Sequence, residues 1–243
     1  MQLNPPAQIS VIIPTADEAE VLPQCLERIA GMPNEIMVVD AESEDDTSAI
    51  AQRFGCELLT FPERHRARQM NFGAARARGE ILLFLHADTL LPEHALTKIV
   101  EAMKQAKVVG GGFARRYRSP SRLLALTCRL AAWRNRFFGW HLGDQAMFVR
   151  REVFLQLGGF RDIAIFEDLD FSRRLHALGH TITLHPPVLS SARRFAARGP
   201  FRTTLDDLRL TRRYLAGVDP NELCNPPSDH VKANQPKTYE HLS

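Results

Sequence analysis

The sequence predicts an α/β protein built on a mostly parallel sheet with helices on both faces. Three observations carry this. Short apolar runs alternate with helical spacings through the first half. Several of those runs end on a polar or acidic residue, as strands do when they feed a ligand-facing rim. The 243 residues, 44% hydrophobic and 24% charged, suit one globular α/β domain better than two.

Ile9–Ile13 (ISVII) predicts a first strand, stopped by Pro14. Between Ala19 and Ala30 the apolar residues Val21, Leu22, Cys25, Leu26 and Ile29 recur at helical spacing. Ile36–Val39 predicts a second strand ending at Asp40, and Thr47–Phe54 a helix capped by Gly55. Glu57–Thr60 is a third short strand, Arg66–Arg78 a helix closed by Gly79, Ile81–Leu85 a fourth strand and Glu93–Gln105 a helix. A strict β-α alternation of this kind gives a parallel sheet. Its ligand rim then consists of Pro14-Thr15, Asp40 and His86-Ala87-Asp88.

The second half is less regular. Val108–Phe113, Ala146–Val149 and Thr181–Leu184 predict strands. Ser121–Arg136, Phe166–Leu178 and Pro200–Ala216 predict helices. Residues 225–243 have little apolar content and predict a disordered tail.

The formal net charge of +3 is too small to argue for nucleic acid. Its distribution says more. Arg115–Arg136 holds seven arginines and no carboxylate, and Arg193–Arg213 holds seven more. Arginine grips phosphate with a planar fork, so phosphate ligands or an anionic surface are one reading. A genome that writes arginine for any surface cation is the other. Cys25, Cys56, Cys128 and Cys224 form no C-x-x-C pair, which fits a reducing, cytoplasmic setting. The polar start MQLNPPAQ and the lack of a long apolar run predict a soluble or peripheral protein.

Five constellations carry candidate chemistry. Asp40 lies too early to cap the next helix, so its carboxylate is free to receive a base or ribose hydroxyl, whereas Asp45 and Asp46 read as capping residues. In His86-Ala87-Asp88, alternation puts His86 and Asp88 on one side of the chain. A hard oxygen there can bind Mg²⁺ or Mn²⁺ together with diphosphate oxygens. Glu167, Asp168 and Asp170 crowd the first turn of a helix. The helix dipole explains one of the three, and Asp168 is the candidate general base. Arg68 and Asn71 share a helical face and are candidate base or phosphate contacts, against a plain solvated basic face. Gly143-Asp144-Gln145 offers directional hydrogen bonds to sugar hydroxyls, against a simple strand-entry turn.

Taken together, these segments resemble glycosyltransferase family two, which has the GT-A fold. SVIIPTADEAEVLPQCL looks like the family's first strand and P-T-x-N-E signature, with Asp17 where Asn is usual. EIMVVDAESEDDTSAIA looks like its second strand and acidic loop, with Glu42 and Asp46 where glycine is common. GEILLFLHADTLLP resembles the metal-binding strand, with His86 in place of the first Asp of D-x-D. GDQAMFVRREVFLQLGGF and Glu167-Asp168 resemble the acceptor side. The ARQMN, FLHADT, GDQ and SARRF segments are similar to the radical-SAM/selenodomain-associated subgroup.

The resemblance implies a single GT-A domain over 1–224, with a nucleotide-binding half near 9–113 and an acceptor half near 114–217. It implies a nucleotide-diphosphate sugar, UDP-type favoured, lined by Pro14, Thr15, Glu18, Asp40, Arg68, Asn71 and Ala87. Asp88, with His86, is expected to hold Mn²⁺ or Mg²⁺, and Asp168 to act as the base of an inverting displacement. Gly143, Asp144, Gln145 and Glu167 are expected at the acceptor, and Arg193 and Arg194 at the diphosphate. A non-catalytic nucleotide-sugar-binding module is the main rival. A nucleotidyltransferase is weaker, because the acidic, glycine-free PTADEAE stands where it would need a phosphate loop. The basic, aromatic stretch Ser121–Leu142 suggests a lipid or isoprenoid acceptor at the inner membrane face. The plainer expectation is that the apolar side of Ser121–Trp133 packs on the sheet.

Overall fold

The computed structural model describes residues 9–30 and 35–224. The stretch expected to be a disordered tail lies outside the described residues. The chain forms β1 (Ile9–Thr15), α1 (Leu22–Glu27), β2 (Glu35–Asp40), α2 (Thr47–Arg53), β3 (Glu57–Thr60) and α3 (Arg66–Ala74). Then come β4 (Ile81–Phe84), β5 (Thr89–Leu90), α4 (Ala95–Met103), β6 (Val108–Tyr117) and α5 (Arg122–Phe138). After a short 3-10 turn at Gly143–Gln145 follow β7 (Met147–Arg150), α6 (Arg151–Gln156), α7 (Glu167–Leu178) and β8 (His180–Ser190). The helices α8 (Arg193–Arg198), α9 (Pro200–Leu215) and α10 (Pro220–Cys224) complete the fold.

One eight-stranded sheet runs in the order β3-β2-β1-β4-β7-β6-β8-β5. The β3-β2-β1-β4 half is parallel, as the β-α alternation requires. β7 is antiparallel to both β4 and β6, which closes the parallel half against the second. β6 and β8 pair in parallel, and β5 pairs with β8 in antiparallel orientation. β1, β2 and β4 are buried on both faces, which is why they read as continuous apolar runs. Two cores result, one centred on Ile9, Val11, Leu22, Leu26, Leu83 and Ile99. The other is centred on Ile12, Phe84, Phe154, Phe160 and Phe171.

Pro14 does not stop β1. The Ile12 carbonyl faces β4 and accepts from the Leu85 N–H, so by alternation the Pro14 nitrogen faces β4 too. The β1–β4 ladder has already ended at Ile12 and Phe84, so no ladder bond is lost. Thr15 and Asp40 are thereby carried to the same level of the rim.

A larger departure concerns α5. Its inward side is formed by Leu124, Ala131 and Asn135. Leu126, Leu130 and Trp133 are exposed, so the expectation that the apolar side packs on the sheet is overturned. Leu124, Ala131 and Asn135 face the sheet, while Leu126, Leu130, Trp133 and Phe137 point away.

Candidate active site

At the β1–β2 end of the rim, Asp40 is 2% exposed. Its Oδ1 accepts from Thr15 Oγ1 at 2.8 Å and Ser43 Oγ at 2.6 Å. Its Oδ2 accepts from the Ser43 N–H and from Ser48 Oγ, both at 3.0 Å. Four donors occupy the carboxylate's four acceptor directions. Asp40 therefore folds the acidic loop back over the strand end. The first loop is tied to the second by Asp17 N–H to Ser43 Oγ and Glu18 N–H to Thr47 Oγ1, both 2.8 Å. Pro14 is half-buried beside them. Beneath, buried Gln69 donates from Nε2 to the Thr15 and Val39 carbonyls, both at 2.9 Å. Sequence reasoning missed Gln69, because its partners are backbone groups that only the folded rim brings together.

At the β4 end, Asp88 lies 3.3 Å from Arg193 Nε, and the same guanidinium donates to Glu18 at 2.6 Å. Burial pushes the Asp88 carboxyl up, and the charges of Glu18 and Asp144 add to this against the pull of Arg193. Burial, with Arg66 and Arg193 nearby, lowers His86 to about 3, so its imidazole is neutral. His86 Nε2 is buried with no hydrogen-bond partner among the described residues.

Gly143 explains how the two halves of the cleft meet. A Cβ there would stand 2.6 Å from His86 Nε2 and 3.3 Å from Asp168 Oδ2. Only glycine lets the backbone pass between them. The Gly143 N–H donates to Asp168 Oδ2 at 2.7 Å, and the Leu169 N–H to Oδ1 at 2.6 Å. Asp144 accepts from Arg115 at 2.5 Å and from the Tyr117 hydroxyl at 3.3 Å. Its carboxyl is held below the usual range, because the Arg115 charge outweighs the burial penalty. Glu167 is buried 3.2 Å from Arg66, and burial together with Asp168 pushes it up to about 7. Phe166, just before it, has φ +66, a strained conformation for a bulky residue. Its ring stacks on Tyr214 of α9 at 4.9 Å, which holds the corner that presents Glu167 and Asp168.

The chain thus brings His86 and Asp168 together at Gly143, ties Asp88 to Glu18 through Arg193, sets Asp144 and Glu167 next in the chain to Gly143 and Asp168, and pairs Thr15 with Asp40 at the ends of β1 and β2. Other expected residues are engaged elsewhere. Arg68 is half-exposed and forks onto Asp162 at 2.7 Å, with Glu63 as a second partner. Asn71 brackets the backbone of Phe160, donating at 2.8 Å and accepting at 2.9 Å. Gln145 is buried, donating to the Phe113 carbonyl and accepting from Arg134 and the Leu142 N–H. Ala87 packs in the core. Arg194 pairs with Asp207 at 2.5 Å.

Among the described residues, no three His, Cys, Asp or Glu side chains enclose a metal site on their own. The donor set nonetheless fits a partly protein-held divalent ion. Asp88 is a hard oxygen whose carboxyl burial pushes up, and Glu18 Oε2 and His86 Nε2 are buried without partners among the described residues. Mg²⁺-type ions keep waters and take ligand oxygens rather than requiring a full protein cage.

Comparison with known proteins gives a consistent picture. The sequence profile of glycosyl transferase family 2 matches residues 10–157. An uncharacterized protein of Mycobacterium tuberculosis (strain CDC 1551 / Oshkosh) is 33% identical over 218 residues, covering 78% of this chain and 68% of that protein. Among solved structures, S. aureus TarS 1–349 in complex with UDP superposes with TM-score 0.64 at 15% identity, covering 76% of this chain and 60% of that one. Glucosyl-3-phosphoglycerate synthase from Mycobacterium tuberculosis, with Mn²⁺, UDP and glucosyl-3-phosphoglycerate, gives 0.54 at 17% identity, covering 76% and 70%. At such identities the structural likeness speaks for the fold alone. The chain spans only 26%, 68% and 32% of the length of the first three curated relatives it matches.

Proposed function

This chain belongs to glycosyl transferase family 2, and we propose that it moves a sugar from a UDP-type donor to an acceptor hydroxyl by a single, inverting displacement. That it is a glycosyltransferase using nucleotide sugars follows from the family; the donor, metal and stereochemistry are our reading. The observation that carries it is the meeting at Gly143 of Asp168 and His86 Nε2, with His86 two residues along the chain from an Asp88 that pairs with the same Arg193 as Glu18.

In this reading the nucleoside lies over Thr15 and the loop that Asp40 orders. The diphosphate points to Asp88 and Arg193. A divalent ion held by Asp88, with His86 Nε2 as a second donor, would offset negative charge on the departing diphosphate. Asp168 accepts the proton of the acceptor hydroxyl as its oxygen attacks the anomeric carbon. The Gly143 and Leu169 N–H groups hold that carboxylate in place. The bond to the diphosphate breaks, the electron pair leaves with the diphosphate, and the anomeric centre inverts. Arg193 exchanges its Glu18 and Asp88 partners for diphosphate oxygens. A lipid or isoprenoid alcohol is the acceptor class we favour.

Isothermal titration with UDP, UDP-glucose and UDP-GlcNAc, with and without Mn²⁺, tests this. Binding should require Mn²⁺ and fall at least about tenfold in Asp88→Asn, since one charge-assisted ligand contact is worth roughly 1.5–3 kcal/mol. Equal affinity in wild type and variant, or no UDP binding at all, contradicts the assignment.

A further inference from the structure

The side of α5 opposite Leu124, Ala131 and Asn135 carries Leu126, Leu130, Trp133 and Phe137, at i, i+4, i+7 and i+11. They are 50%, 59%, 57% and 58% exposed, a continuous apolar stripe with nothing over it among the described residues. Trp133 lies 4.7 Å from Phe137 and 6.1 Å from Phe138, ring to ring, so the stripe ends in an aromatic ridge. Arg122, Arg129 and Arg136 recur every seven residues along its flank, all exposed and none in an ion pair among the described residues. α9 touches α5 and repeats the pattern. Phe201, Leu208 and Leu215 are exposed there, with exposed Arg202, Arg209, Arg212 and Arg213.

We infer that this face docks on an anionic membrane surface. Charge decides between the possible covers. A second copy of the chain would set arginine against arginine, whereas anionic headgroups neutralise the arginines while Leu, Trp and Phe enter the acyl boundary. No helix among the described residues is long and apolar enough to cross a membrane, so the contact is with one leaflet. A cavity of about 530 Å³ opens between the N-terminal ends of α5 and α9, lined by Arg118, Ser121, Leu124, Arg193, Phe195 and Pro200. Arg193 is the residue that pairs with Asp88. A leaflet held against α5 therefore brings lipid headgroups to the mouth of the cleft. This builds on the lipid-acceptor reading above and names the surface from which such an acceptor arrives.

The test is flotation of the full chain with phosphatidylglycerol-rich and with pure phosphatidylcholine vesicles, at low and high salt. Two variants accompany it: Leu130→Glu with Trp133→Glu, and Arg122→Glu with Arg129→Glu and Arg136→Glu. A UDP-induced thermal shift in each variant reports that the fold and nucleotide site are intact. Wild type should float with the anionic vesicles at low salt and be released by high salt. The triple variant should bind at least about a hundredfold more weakly, at the strength expected for three surface arginines, and the apolar pair should also lose binding. Absence of flotation at low salt overturns the inference. So does a dimer seen by light scattering that the Leu130/Trp133 variant splits, because the cover is then a second copy. A chain that floats but releases no UDP sinks the transfer reading and leaves docking standing; the reverse sinks docking alone.

Discussion

At the scale of single residues, Gly143 sets the distance between the two sides of the cleft. A methyl group there would press on His86 Nε2 and Asp168 Oδ2. Gly143→Ala should therefore lower kcat by about a hundredfold, the usual effect of a displacement near 1 Å. UDP affinity, measured by titration with Mn²⁺, should fall by less than kcat, because the methyl disturbs His86 Nε2 while Asp88 and Arg193 are left in place. Glu167 offers a pH-dependent signature. Its carboxyl is raised from 4.5 to about 7, first by burial and then by the Asp168 charge. Between those values the unfolded chain has lost this proton while the folded chain keeps it. Folding stability from this group is thus complete below pH 4.5 and is lost as pH rises through 7. Glu167→Gln cannot titrate. Its melting temperature relative to wild type should climb from pH 5 to pH 8 in paired thermal melts, and a flat difference would contradict the shift.

At the scale of elements, one buried amide bridges the ends of β1 and β2 alongside the Thr15–Asp40 and Ala41–Thr15 hydrogen bonds. Gln69→Leu would leave the Thr15 and Val39 carbonyls without that donor. The Thr15 carbonyl keeps the Ala41 N–H as a partner, so the loss is one hydrogen bond at each carbonyl, about 0.5–1.5 kcal/mol apiece, and urea unfolding should show a loss of roughly 1–3 kcal/mol. Donor affinity should fall with it, because the rim loosens. The apolar periods of β1, β2 and β4 and the residues at their ends were legible in the sequence, since burial on both faces leaves a continuous apolar run. The places of Asp88, Asp168 and Gly143 beside the ends of elements were legible for a different reason, since each flanks a periodic run. Arg68, Asn71 and Gln145 were not. Their partners Asp162, Phe160 and Phe113 lie 94, 89 and 32 residues away, and a side chain's spare hydrogen bonds cannot be read before such neighbours are known. The amphipathic stripe of α5 was visible too, but a helical period gives the stripe and not which side the sheet covers.

At the scale of the whole molecule, two histidines make the fold sensitive to acid. Burial lowers both His86 and His141 to about 3. Below their unfolded value of 6.5 the unfolded chain takes up protons that the folded one refuses, so stability is present above 6.5 and is lost as pH falls toward 3. Between 6.5 and 4.5 Glu167 offsets part of this, because the folded state gains its proton first. Below 4.5 the Glu167 offset ends, and below 3.8 that of the raised Asp88 and Asp207 carboxyls ends as well. Stability should then fall by up to roughly 2.7 kcal/mol per pH unit from the two histidines, with Asp144 adding in the same direction. Urea midpoints that hold steady from pH 3.8 to pH 3 would contradict this. The larger claim is that a rim built from strands far apart in sequence makes one sugar-transfer cleft. Its most direct test is the single-turnover rate of UDP release from bound UDP-sugar in wild type and Asp168→Asn, with donor affinity measured alongside. The account predicts that the variant binds donor as wild type does and reacts about 10² to 10⁴ times more slowly when acceptor is present. An unchanged rate would contradict it.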